Sequence, residues 1–462
     1  MLVVYILERL CKGASWENGG RGMAMTEQTV KMEKQVPLVG TYDVVVCGGG
    51  PAGWVAAVAA ARQGCKTALI ERFGFFGGLG TAGLVVPLSG FYHKGKRVVG
   101  GIAWEFVQKM EAHGAAIVEL PKGHVSFDPE YYKLIAQRMV RAAGVDIYTN
   151  SWLSGCDVND GEIRYAVIEN KNGTEAIAGK CFIDATGDAD LSRMAGAPMM
   201  DREEDCQPMT MCFVLDGVDV TTDLLKDSIH HNGKSGKPSS NAQIHRYLDE
   251  AAKTMEVPQF GGPWFNTLVN GDALAVNMTR TAAWATDNRE FMEAECRLRE
   301  DMYRLVELLR ERFDEFKHCS IIASAVQIGV RESWHIRGLH ILTGEEIMQG
   351  VRFEDTIAYS AHPMDVHNAK SSKQTLIQLH TTGPIPYRAM VTGEINNLIV
   401  SGRCISADRM AHATMRVMAT AMAIGEAAGV AASISCKCGV TTAEVPAEKL
   451  REILRNQGAI VE

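Results

Sequence analysis

The sequence predicts an α/β fold in which a parallel-sheet domain is interrupted by an inserted α+β lobe. Three observations carry this expectation. The β-branched run Tyr42-Asp43-Val44-Val45-Val46-Cys47 leads directly into Gly48-Gly49-Gly50-Pro51-Ala52-Gly53 and an alanine-rich helical stretch that Gly64 stops. This strand-and-helix grammar is lost between residues 206 and 395. It returns at Asn396-Asn397-Leu398-Ile399-Val400-Ser401-Gly402-Arg403, followed by a helical stretch from about Thr414 to Ser435.

At 462 residues the chain is long enough for two lobes with cores of their own. Residues 1–38 read as a poorly ordered extension. The first part of the sheet domain, 39–205, opens with the 42–47 strand, its helix and a second strand from Lys66 to Ile70, a unit of βαβ length. Asp128 before Pro129 marks a helix start and Gly144 its end, with a strand at Val145 to Tyr148. Residues 152–184 alternate around the turns Asn159-Asp160-Gly161 and Lys171-Asn172-Gly173, which predicts an antiparallel meander. It runs through Cys181-Phe182-Ile183-Asp184 into Ala185-Thr186-Gly187-Asp188. The lobe at 206–395 holds a polar loop at Asn232 to Ala242 and a charged helix from about Asn288 to His318. Residues 396–440 return to the first domain, and 441–462 carry an amphipathic helix at Pro446 to Asn456.

The hydrophobic fraction is 46% and the charged fraction 22%, which excludes disorder, collagen and coiled coil. Lys+Arg is 47 against Asp+Glu 55, so there is no positive field to gather nucleic acid. Twelve cysteines lie without metal-ligand spacing, which points to a reducing, cytoplasmic compartment, and Cys436-Lys437-Cys438 reads as incidental. The last Ala/Met-rich stretch is broken by Arg416 and Glu426, and the apolar Met1 to Leu7 stops at Glu8-Arg9. No membrane span or signal peptide is expected.

Gly48, Gly50 and Gly53 form GxGxxG after a strand and at the start of a helix, the context in which it carries chemistry. The first glycine permits the turn, the second lets backbone approach a pyrophosphate, and the third lets helix and sheet pack; the helix N-terminus adds donors and a positive dipole. Pro51 and Ala52 belong to the same turn. Glu71, 23 residues after Gly48, suits ribose hydroxyls and disfavours a 2′-phosphate. The domain is therefore Rossmann-like. The glycine-dense run Arg72-Phe73-Gly74-Phe75-Phe76-Gly77-Gly78-Leu79-Gly80-Thr81-Ala82-Gly83 exceeds what an NAD site needs and suits an extended FAD.

With Ile183 to Asp188, Gly402 to Ala407, Met415-Arg416-Val417-Met418 and Gly425-Glu426-Ala427-Ala428-Gly429, these segments resemble the bacterial FAD-dependent oxidoreductase family. That family belongs to the glutathione-reductase-like flavoproteins, on a Gly-Gly doublet branch shared with fumarate reductase flavoproteins. The resemblance covers residues 37–435 and implies non-covalent FAD. It implies that Gly48, Gly50 and Gly53 cradle the adenine-side pyrophosphate, Glu71 the ribose, and Gly77, Gly78 and Thr81, beside Arg72, the flavin side. Gly187 and Asp188 would flank the adenine half, Gly402 and Arg403 the ribityl region, and the helix near Arg416 and Met418 the flavin pyrimidine. Arg409, Ala419 and Glu426 depart from the family's usual histidine, proline and glutamine. The Gly-Gly loop lacks a tethering histidine, although His93 lies ten residues beyond it. No second GxGxxG follows residue 185 and no CxxxxC follows Glu71, which disfavours an NAD(P)H domain and disulfide reduction.

For the substrate side, Gln327 to Gly338 resembles the family's arginine-bearing strand and offers Arg331 and His335. Arg416, at a helix start where a cation is misplaced without an anion nearby, and Tyr387 beside Arg388 complete the catalytic candidates. His362, His380 and His412 are weaker acid–base candidates. Ala421, Gly425, Gly429 and Ala432 read as scaffold, Met209 and Met211 as core, and no metal constellation is expected. The expected activity is hydride transfer between a small organic substrate and flavin N5, with dehydrogenation favoured and an electron acceptor not encoded in the chain. The alternatives are a fumarate-reductase-like alkene reductase fed by a partner protein, or a non-catalytic FAD-binding or RNA-modification subunit. Homo-oligomerisation is left open.

Overall fold

The structure is a computed structural model and describes residues 4–6, 33–120, 123–202, 205–225, 242–269, 271, 273–369 and 371–462. Within the expected 1–38 extension, Val4–Ile6 pairs antiparallel with Glu33–Gln35. The expected polar loop at Asn232 to Ala242 lies almost wholly outside the described residues.

The first domain is built on β1 (Leu38–Cys47), α1 (Pro51–Arg62) and β2 (Thr67–Ile70). The run Val44 to Cys47 is fully buried, as a strand covered on both faces requires. Next come α2 (Gly101–Ala112) and α3 (Pro129–Ala142). Asp128 caps α3 by accepting from the backbone N–H of Glu130 and Tyr131. β3 (Asp146–Tyr148) follows, then the meander β4 (Trp152–Asn159), β5 (Glu162–Asn170) and β6 (Gly173–Asp184). The sheet runs β4-β5-β6-β1-β2-β3. β6 is antiparallel to β5 over its first half and parallel to β1 along its length.

The inserted lobe is a four-stranded antiparallel sheet of β7 (Phe213–Asp216), β8 (Phe260–Thr267), β9 (Leu274–Thr279) and β10 (Ser320–Ser324), in the order β8-β9-β7-β10. The helix α4 (Asn288–Arg312) buries Ala294, Leu298, Met302, Leu305 and Leu309, one stripe at helical spacing. It ends at Arg312, short of the expected His318, because Phe313 is extended. The lobe is also smaller than expected. Its separate core lies between Met209 and Val330, whereas Ile336, Leu342, Ile357 and Ile395, assigned to the lobe from sequence, pack into the core of the first domain.

The chain returns through β11 (Leu398–Val400), which pairs parallel with Phe182 to Asp184 at the end of β6. The single helix expected from Thr414 is two helices, α5 (Arg409–Met415) and α6 (Met418–Cys438). Asp408 caps α5 through the backbone N–H of Ala411, and the extended Val417 breaks the run. Arg416 therefore sits at the joint. A Cβ on Gly425 would stand 2.2 Å from the Ala52 carbonyl oxygen, and one on Gly429 2.2 Å from that of Ala56. These glycines let α6 lie directly on α1, the scaffold role expected of them. Of the described helices, α6 is the one long and apolar enough to cross a membrane, yet 89% of its apolar stretch is buried inside the protein. Glu426 on α6 accepts from the Ile102 backbone N–H at 2.8 Å, at the start of α2, and burial pushes its carboxyl up to about 7. Peripheral α7 (Ala447–Asn456) is the amphipathic helix predicted near the C-terminus.

Candidate active site

The glycine turn after β1 is sterically determined. Gly48 has φ +99°, and a Cβ there would stand 2.4 Å from the Ala185 carbonyl oxygen; one on Gly53 would stand 1.7 Å from that of Gly48. Gly50 is different, because a Cβ on it would meet nothing within 4 Å. It is the N-cap of α1, has no side-chain capping bond, and precedes Pro51 in a first turn without acidic residues. The helix N-terminus thus presents uncapped donors and positive dipole to open space, a place for an anion.

That space is a cleft open to solvent. Gly48, Gly50, Pro51, Ala52, Glu71, Arg72 and Gly78 from the first segment line it together with Gly187, Gly402, Arg403, Arg416 and Met418. The remaining expected contacts support the walls. Gly53 closes the turn, the Gly77 N–H donates to the Gly49 carbonyl at 2.9 Å, and the Thr81 hydroxyl donates to that of Phe76 at 2.9 Å. Glu71 accepts from the Gly49 N–H at 2.6 Å and the Phe73 N–H at 2.8 Å, so it braces the loop it was expected to serve. Burial raises its pKa while those two bonds oppose the rise.

Asp188 sits behind the wall and pairs with Arg403, which also donates to the Val330 carbonyl at 3.0 Å. Burial alone would raise the Asp188 carboxyl; the Arg403 charge and bond, with a bond from Ser333, hold it below its ordinary value. Asp190, in the cleft wall, was not predicted. Its burial beside Asp188 and Asp184 pushes it up to about 7. Arg72 donates to the Gln327 side chain, joining the first domain to the lobe, and Gln327, Ile328 and Val330 bring the lobe to the cleft.

Of the catalytic candidates, Arg416 alone lines the cleft. Its guanidinium donates to Asp365 at 3.2 Å. Arg331 is buried behind Val330 and donates to the Pro208 carbonyl. His335 is outside the cleft lining, held by the Ile405 carbonyl at 3.0 Å and edge-on to His412. Burial lowers the pKa of both imidazoles, which keeps them neutral. Tyr387 is a structural residue: 3% exposed, its hydroxyl donates to the Thr442 carbonyl at 2.8 Å. Its sequence neighbourhood, two prolines and an arginine, resembled a site because stiff turns serve both roles. Tyr387→Phe is expected to cost about 1 kcal/mol of stability, one buried hydrogen bond, with turnover unchanged; urea melts alongside steady-state rates check it.

His362 is tied to the Pro363 carbonyl at 2.8 Å, and the His380 carbonyl accepts from Lys94 at 2.8 Å. Neither they nor His93 line the cleft. The sequence offered no metal-ligand spacing, yet the fold brings donor atoms of Glu332, His335 and His412 within 4.8 Å of one another. Glu332 is engaged there by Arg409 at 3.1 Å, the residue standing where the family's histidine was expected. A carboxylate already paired with a guanidinium is a poor ligand.

Sequence reasoning missed Asp190, Arg280, Asp365 and His367. One signal was available for Arg280, a lone cation in the apolar stretch Leu274 to Trp284.

The open approach at Gly50, the uncapped α1 N-terminus and the Glu71 carboxylate fit the diphosphate and ribose of a dinucleotide. Over 42 residues the chain is 57% identical to the dihydrolipoyl dehydrogenase of Trypanosoma brucei brucei, 9% of each chain. Over 171 residues it is 28% identical to the digeranylgeranylglycerophospholipid reductase of Thermoplasma volcanium, 34% of this chain and 42% of that one. The chain thus spans less than half the length of either relative. A geranylgeranyl bacteriochlorophyll reductase-like structure from Thermoplasma acidophilum aligns over 91% of this chain and 84% of its own at 16% identity and a TM-score of 0.47. Residues 43–454 match the family described as FAD dependent oxidoreductase, so the chain belongs to that family, an oxidoreductase with FAD as its cofactor.

Proposed function

We propose that the protein passes a hydride between a small organic substrate and non-covalently held FAD, with dehydrogenation the favoured direction. The carrying observation is that Arg416, with Met418 at the head of α6, lines the same cleft as the GxGxxG turn. FAD supplies the two-electron chemistry; the chain supplies binding, orientation and charge. The N-terminus of α1 holds the diphosphate, Glu71 the ribose, and the head of α6 with the Arg416 cation favours negative charge that develops nearby. The Gly77-Gly78 doublet supports a place on the glutathione-reductase-like, fumarate-reductase-related branch. The acceptor is a separate molecule, and the setting is the cytoplasm, without nucleic acid or membrane as partner; free cysteines throughout the described residues agree with a reducing compartment.

An anaerobic screen of small alcohols, amines and acids for loss of flavin absorbance tests the direction. At least one class is expected to bleach the flavin. Arg416→Gln is expected to lower the bleaching rate at least tenfold while FAD content is retained. Bleaching by no donor class, combined with re-oxidation of chemically reduced protein by activated alkenes, would reverse the direction proposed.

A further inference from the structure

Behind Arg416, where the lobe meets the hairpin Met364–His367/Gln374–Ile377, lies a cluster the proposed hydride chemistry does not use. Arg280, 1% exposed, donates through one nitrogen, Nη1, to Thr210 Oγ1 at 2.9 Å, Asn277 Oδ1 at 2.9 Å and the Thr279 carbonyl at 2.7 Å. Its other terminal nitrogen, Nη2, is buried with no partner among the described residues. The guanidinium lies over the Trp264 ring, 5.1 Å from its centroid. It needs the glycine at 261, because a Cβ there would stand 2.7 Å from its Nε.

Two more buried donors lack partners: Nε of Arg416 and the side-chain nitrogen of Gln207. Gln207 is next to Pro208, whose carbonyl takes Arg331, and its oxygen accepts from the His367 backbone N–H at 3.3 Å. Arg331 feels the charges of both Arg280 and Arg416. Of the groups acting on these arginines, Asp365 is the one carboxylate.

The other titratable groups supply no negative charge. Burial raises the Cys212 thiol to about 11, and burial with the Arg331 charge pushes His367 down to about 3. The neutral His367 donates to Asp365 at 3.0 Å. Burial also lowers His362. Three guanidinium groups therefore share one carboxylate in a buried place, where an uncompensated cation is costly.

We propose that Arg280, Arg331 and Arg416 form the receptor for an oxyanion group, carboxylate or phosphate, on the small organic substrate. This rests on the reading that substrate meets the cofactor beside Arg416. The arginine forks suit planar or tetrahedral oxyanions, and the unpartnered nitrogens of Arg280, Arg416 and Gln207 supply donors. Arg416 joins the two regions, since it lines the cleft and belongs to the cluster.

The test uses the flavin-loaded protein, titrated separately with succinate, inorganic phosphate, neutral succinamide and chloride at matched ionic strength. Melting temperature and the flavin difference spectrum are read together. Succinate or phosphate is expected to raise the melting temperature saturably and perturb the flavin band, and the effective anion names the group. Succinamide and chloride are expected to do neither. In Arg280→Gln the half-saturating concentration is expected to rise at least tenfold with flavin content unchanged. Should that variant not fold, Arg416→Lys, which keeps charge but loses the planar fork, carries the same expectation. No saturable effect of either anion, or an unchanged half-saturating concentration in the variant, overturns the proposal. Failure of the hydride reading shows separately, as absence of bleaching by any donor while the anion-induced melting shift persists.

Discussion

Gly50→Ala is expected to fold with a melting temperature within a few degrees of the parent and to purify colourless, while Gly53→Ala is expected to lose both flavin and stability. The two glycines belong to one motif but meet different surroundings. A methyl group on Gly50 touches nothing within 4 Å, and its φ of −65° suits any residue, so the chain alone bears no strain. The methyl fills the approach that a pyrophosphate must use to reach the α1 N-terminus. A methyl on Gly53 is placed 1.7 Å from the Gly48 carbonyl oxygen, which forces α1 away from the turn. Overpacking of this kind costs about 1–3 kcal/mol or more. Flavin absorbance per protein and thermal melts of both variants read the two effects separately. A yellow Gly50→Ala protein would remove the cofactor from this turn.

Glu426→Gln is expected to raise stability by about 2–3 kcal/mol at pH 8 and to flatten its pH dependence. The carboxyl is 1% exposed on α6, and burial lifts it from 4.5 to about 7 despite the Ile102 N–H. Between those values the folded protein holds a proton that the unfolded chain has released. The stability supplied by the neutral carboxyl is therefore complete below about pH 4.5 and is lost as pH rises through 7, a swing of roughly 3 kcal/mol at 1.36 kcal/mol per unit. Glutamine keeps the acceptor for Ile102 and cannot ionise. Denaturant melts from pH 5 to pH 8.5 check this, with parent and variant converging at the acid end. Parallel curves would show that the carboxyl is not the origin of the slope.

The elements set by local rules were legible in the sequence. The Val44 to Cys47 strand, the Asp128 cap and the meander around Asp160-Gly161 depend on β-branching, a side-chain cap and turn glycines. The GxGxxG turn was legible for the same reason, since it is a local structure that the fold places between β1 and α1. What escaped was set by long-range packing. Nothing near Ile336 or Ile357 in sequence says which of two cores will take them. The break at Val417 is a backbone choice that an alanine-rich run conceals. Tyr387 was misread because its partner, Thr442, comes from a distant segment. The arginine cluster was invisible because Arg280, Arg331, Asp365 and Arg416 come from four separate segments, and no spacing rule joins them.

The order in which β6 acquires its neighbours bears on synthesis. This strand follows β1 and β5 in the chain and can pair with both as soon as it is made, but the second neighbour of its end, Leu398–Val400, comes more than two hundred residues later. Asp188 and Arg403, which meet across the cleft wall, are 215 residues apart, about ten to forty seconds at ribosomal rates of 5–20 residues per second. During that interval the nascent chain carries the glycine turn without the Gly402, Arg403, Arg416 and Met418 portion of its cleft, while the lobe with its own core has time to fold. On the proposed placement of FAD, its capture waits until Arg403 and α6 have been made. A chain stalled before residue 398 would hold six of the seven strands of the sheet but lack β11, α5 and α6, and with them the Arg403 and Arg416 portion of the cleft.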